Sequence, residues 1–77
     1  MQKKIIELLM QVFSINEEEA KIASMKSIIQ WDSLTHVELM MSIEEEFSIS
    51  KITSDEIVMM IDIENIMKVL TSKNAKF

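Results

Sequence analysis

A chain of 77 residues holds one domain, near the lower limit for a core that stabilises itself. It has no cysteine, glycine or proline, which excludes disulfides and thiolate metal ligands and disfavours a β-rich fold with tight hairpins. Its net charge of −5 and its lack of arginine argue against nucleic-acid binding.

The same composition favours a helical bundle. Apolar residues make up 48% of the chain and are rich in Ile, Leu and Met, while turns must rely on Asn, Asp, Ser and Thr. Eight methionines make such a core adaptable. The absence of cysteine fits a reducing compartment, and the expectation is a cytoplasmic monomer.

The first element is a helix over residues 2–13. Lys3 and Lys4 precede an apolar run as in a secretion signal, but Glu7 and Gln11 interrupt it and no small-residue cleavage site follows. Lys3, Lys4, Glu7 and Gln11 share one helical face; Ile5, Ile6, Leu9, Val12 and Phe13 share the other, as in a core helix. No apolar run reaches bilayer length, so no membrane insertion is expected. Residues 14–32 form a long connection. Ser14 and Glu17 stand at capping-box spacing, which predicts one helical turn over 18–21. Ile22, Met25, Ile28 and Ile29 are too apolar for a free linker, so the connection should cross the bundle and bury some of them.

A second helix spans 33–47, with Asp32 as N-cap and Ser33 in the first turn. Asp32, Glu38, Glu44, Glu45 and Glu46 supply five acids to residues 30–47, which contain no lysine; elsewhere eight acids balance eight lysines. Its apolar pattern is doubled. Leu39, Ile43 and Phe47, with Met40 beside them, form a core stripe, whereas Leu34, Val37 and Met41 lie on another side, flanked by Glu38, Glu44 and Glu45. The second stripe is either an exposed docking surface for a basic partner or a second buried side in a small bundle. Thr53 and Glu56 have capping-box spacing and start a short third helix over 54–60. Asp62 caps a last helix over 63–72 with an Ile63, Ile66, Met67, Leu70 stripe, and Lys68 and Lys73 suit its C-terminal end. Residues 73–77 are a frayed tail. The layout is one four-helix unit.

Asp32, Ser33 and His36 suggest a hydrolase triad only superficially. There is no glycine for a nucleophile elbow, and three residues within one turn lack the geometry that orients a base. We therefore expect no enzymatic activity. The lone His36, without cysteine, cannot anchor zinc and is expected to pack at the edge of the core stripe. Ser33 is a better acceptor than catalyst: a phosphodiester at a helix N-terminus meets free N–H groups and the positive end of the dipole. Alternatively, it simply helps Asp32 to cap the helix.

Asp32-Ser33-Leu34, then Val37-Glu38-Leu39, then Ile43-Glu44-Glu45-Glu46-Phe47 resembles the 4′-phosphopantetheine attachment region of acyl carrier proteins. The resemblance covers most of the chain and implies an all-α four-helix bundle with a long first connection and a short third helix. It implies that Ser33 carries a 4′-phosphopantetheine arm donated by coenzyme A, and that Asp32, Leu34, Val37, Glu38, Met41, Glu44 and Glu45 meet partners. Those partners would be a phosphopantetheinyl transferase, an acyl- or aminoacyl-loading ligase and acyl-using transferases or synthases. It also implies that Ile52 and Met60 edge a groove for a short acyl chain.

Departures bear on subtype. Gln30 replaces the usual glycine two residues before the aspartate, Trp31 replaces a small residue, and the usual proline after Phe47 is missing. Trp-Asp-Ser-Leu followed by His36 is similar to stand-alone carriers of specialised pathways, such as surface polysaccharide or secondary-metabolite assembly. A D-alanyl or other aminoacyl carrier, and an unmodified helical binding module, stay open.

Overall fold

The computed structural model describes residues 2–73. Among them run five helices and no strand: α1 (Gln2–Phe13), α2 (Glu17–Lys21), α3 (Ser33–Phe47), α4 (Ser54–Met59) and α5 (Ile63–Ser72). Four are the helices expected from periodicity, and α2 is the single turn inside the first connection. The tail beyond Lys73 lies outside the described residues.

α1 buries Ile5, Leu8, Leu9 and Phe13 on one stripe. It stops at Ser14, whose φ of 55° is left-handed, with the Ile15 amide donating to the Met10 carbonyl at 3.3 Å. This is a Schellman closure, normally given to glycine; in a glycine-free chain serine takes it. That assignment also corrects the expected cap of α2. An N-cap needs extended backbone, so Ser14 cannot serve. Asn16 does: its side chain accepts from the Glu19 amide at 2.8 Å, and Glu19 accepts from the Asn16 amide at 3.1 Å.

The other caps fall where expected. Thr53 and Glu56 form a reciprocal box, and Asp62 accepts from the Asn65 amide at 2.8 Å. α4 ends one residue earlier than its sequence suggests, because Met60 leaves helical geometry at φ −84°, ψ 53°. α3 ends at Ser48, a second left-handed serine at φ 49°.

Ile5 and Leu9 of α1, Leu39 and Ile43 of α3, Ile66 and Leu70 of α5, and Met60 before α5 form the fully buried centre. Each such aliphatic side chain contributes about 1.5–3 kcal/mol by leaving water. The first connection is stitched to the α4–α5 link by the Met25 amide on the Ile61 carbonyl at 2.9 Å, beside a Ser24–Asp62 bridge. It buries Ala23 and Trp31 and half-buries Met25 and Ile28, whereas Ile22 and Ile29 are exposed. The backbone there is turn and bridge rather than helix, so apolar spacing does not translate into one buried face.

Candidate functional site

The first turn of α3 is fixed by two devices. Asp32 Oδ1 accepts from the Thr35 amide at 3.0 Å, and the Asp32 amide donates to Thr35 Oγ1 at 2.9 Å. The Thr35 hydroxyl lies 2.6 Å from the Gln30 carbonyl and 3.1 Å from Asp32 Oδ1, and its one proton is shared between these two acceptors. Thr35 thus plays the return role more often given to Glu or Gln. The Thr35 amide, then its hydroxyl, hold the Asp32 carboxyl below its ordinary value, because both donate to the ionised form.

The second device is aromatic. Trp31 is 2% exposed and stacks on Phe13, ring centroids 4.9 Å apart. Its Nε1–H donates to His36 Nδ1 at 2.9 Å, and His36 Nε2 lies 2.7 Å from the Ile57 carbonyl. An indole nitrogen only donates, so Nδ1 must accept and Nε2 carries the proton given to Ile57. His36, 6% exposed, thereby ties the head of α3 to α4. Both its ring nitrogens are engaged, and neither bonds to Ser33. The sequence placed His36 at the edge of the core stripe and missed this relay. Trp31 and His36 occupy the N′ and N4 positions around the Asp32 cap, which is the spacing of a hydrophobic staple; that spacing was the available signal.

Ser33 is the first residue of α3, exposed, and its hydroxyl bonds to none of the described residues. Asp32 and Thr35 do the capping, so Ser33 is not needed for it. Leu34, Val37 and Met41 are 77%, 51% and 63% exposed, while Leu39, Met40, Ile43 and Phe47 are buried. The doubled pattern therefore resolves into one inner and one outer stripe. Glu38 and Glu45 are exposed beside the outer stripe.

Glu44 differs from them. It is half-buried, and its Oε2 accepts from the Ile52 amide at 2.7 Å, bracing the segment after α3. On the other side of that segment Lys73 Nζ lies 2.9 Å from Glu56 Oε1, 3.4 Å from the Lys51 carbonyl and 3.5 Å from Ser50 Oγ. The Thr53 amide, then Lys73, hold the Glu56 carboxyl below its ordinary value. Ile52 and Met60 are buried in the core cluster. Among the described residues no group of acids and histidine is arranged to hold a metal, and no helix is long and apolar enough to cross a membrane. Comparison of the chain with protein-family models, with curated proteins and with solved structures finds no match in any of the three.

Proposed function

We propose that this chain is a carrier protein whose Ser33 holds a 4′-phosphopantetheine arm taken from coenzyme A. The observation that carries the reading is an exposed serine hydroxyl, free of structural duty, at the head of a helix whose outer stripe is apolar and edged with carboxylates. The helix N-terminus suits the phosphodiester, and the open position of Ser33 leaves room for it. The arm's terminal thiol supplies the thioester chemistry that a cysteine-free chain lacks. The chain's own residues hold and present that arm: Asp32, Thr35, Trp31 and His36 fix the turn that bears it. Leu34, Val37 and Met41 offer apolar contacts to a phosphopantetheinyl transferase, a loading ligase and acyl-using enzymes. Glu38 and Glu45 meet basic patches on those partners, giving salt-sensitive and rapidly exchanging contacts.

The test is intact mass after incubation with coenzyme A and a broad-specificity transferase. The carrier reading expects the gain of one phosphopantetheine group, abolished by Ser33→Ala, and slower gain in Glu38→Lys or Glu45→Lys. No gain with several transferases leaves an unmodified helical binding module as the better description. Glu44→Lys is a poor surface probe, contrary to its sequence position, because it also breaks the brace on Ile52.

A further inference from the structure

An arm on Ser33 leaves the chain beside the seam between the first turn of α3 and the end of α4. One contact crosses that seam, the His36 ring on the Ile57 carbonyl, and two more hold that ring from its other side: the Trp31 indole on His36, and Trp31 stacked on Phe13 of α1. Immediately behind them Leu39, Ile43, Ile52 and Met60 are closed to solvent. An alkyl chain entering here has to part α3 from α4. That separates His36 from Ile57 or Trp31 and leaves a buried donor or acceptor without a partner, which is worse than never having formed the bond. Nor does the open cavity of about 770 Å³ elsewhere on the molecule help: its walls come from Gln2 of α1, Lys21 of α2 and six residues of α5, with none from α3 or α4.

Resting on the carrier reading, we infer that this bundle does not take its cargo inside, and that its cargo is a short or polar acyl or aminoacyl group carried in water. A long alkyl chain left outside keeps the full hydration penalty of its methylenes. The exposed apolar surface next to Ser33 begins with Leu34 and Val37, so a chain lying on it would cover the docking stripe. A small or charged cargo meets neither difficulty. The tie from Trp31 through His36 to Ile57 thus sets what the arm can hold, as well as holding the turn.

The test loads the full chain from acetyl-, alanyl- and octanoyl-coenzyme A with a broad-specificity phosphopantetheinyl transferase, each transfer to the Ser33 hydroxyl releasing 3′,5′-ADP, and confirms each load by mass. Hydroxylamine cleavage of each thioester is then compared with that of the same group on free pantetheine. The single tryptophan, Trp31, reports on the seam by its fluorescence. The expected result is that all three loads are cleaved at their free rates to within about twofold, with unchanged Trp31 emission. Octanoyl protected about tenfold, as for a chain inside nine-tenths of the time, together with shifted Trp31 emission, overturns this inference while leaving the carrier reading intact. Failure of all three donors to add mass with several transferases overturns the carrier reading and this inference with it.

Discussion

Replacing Trp31 by phenylalanine keeps a ring against Phe13 and removes the indole N–H, so it isolates the bond to His36. The Nδ1 of His36 is then a buried acceptor with no partner, which destabilises the fold by about 1–3 kcal/mol. Replacing His36 by leucine strands the other end: the Trp31 N–H becomes a buried orphan at a similar cost of about 1–3 kcal/mol, while the half-buried Ile57 carbonyl retains some access to water. The two changes together orphan neither group. The double variant should therefore be less destabilised than the sum of the singles, with a coupling of about 1–2 kcal/mol. The volume lost in Trp→Phe is common to the single and double variants and cancels in the cycle. Thermal unfolding followed by far-ultraviolet circular dichroism can resolve this, because about 1 kcal/mol moves the midpoint of a domain this small by about 4–8 °C. Additivity to within about 0.5 kcal/mol would refute the reasoning that these two side chains form one buried polar unit.

Glycine should be better than serine at the two left-handed positions, so Ser14→Gly and Ser48→Gly are each expected to raise stability by about 0.5–1 kcal/mol in urea titrations. Unchanged or lower midpoints in both would contradict the cap geometry. Glu44→Gln should weaken the charge-assisted bond to the Ile52 amide, lowering stability by about 1 kcal/mol and speeding exchange of that amide, whereas Glu45→Gln should stay within about 0.5 kcal/mol of the parent. Equal effects from the two would remove the distinction between brace and surface charge. Asp32 and Glu56 are both depressed when folded, so their contribution is present above the ordinary carboxylate values and is lost as pH falls through the lower folded ones. Asp32→Asn and Glu56→Gln should each flatten the acid limb of a plot of unfolding midpoint against pH; an unaltered limb in both counts against the assigned hydrogen bonds.

Helices α1, α3 and α5 were legible because each repeats an apolar residue every three or four positions, and the described N-caps, those of α2, α3, α4 and α5, each join residues three apart. Where two local rules competed, sequence failed. Ser14 fits the spacing of a cap, but the end of α1 takes it first for a left-handed turn, and the cap moves to Asn16. The site was legible in its outline: Ser33 at the helix head and an outer stripe of Leu34, Val37 and Met41. What was not legible was the distant partner of each polar side chain. His36 meets a backbone carbonyl 21 residues away and Glu44 an amide 8 residues away, and backbone groups carry no residue-type signature.

Those distant partners lie in α4 and in the segment that leads into it, and among the described helices α4 alone has no buried residue. A helix of six residues cannot persist by propensity, so the positions of its two ends must be imposed. At its head, Lys73 from the end of α5 pairs with Glu56, and the incoming segment is braced by Glu44 from α3. At its tail, His36 from the head of α3 holds the Ile57 carbonyl. Directional bonds rather than area thus locate α4, and two of the three come from the helix that bears Ser33. Charge reversal at Glu44 or loss of the His36 bond in α3 would be felt first in α4, because tethers fail singly whereas a packed face gives way only as a whole. The outer stripe of α3, by contrast, takes no part in this bracing. Contact on Leu34, Val37 and Met41 would leave the bonds that locate α4 intact, as the docking role proposed for this stripe requires.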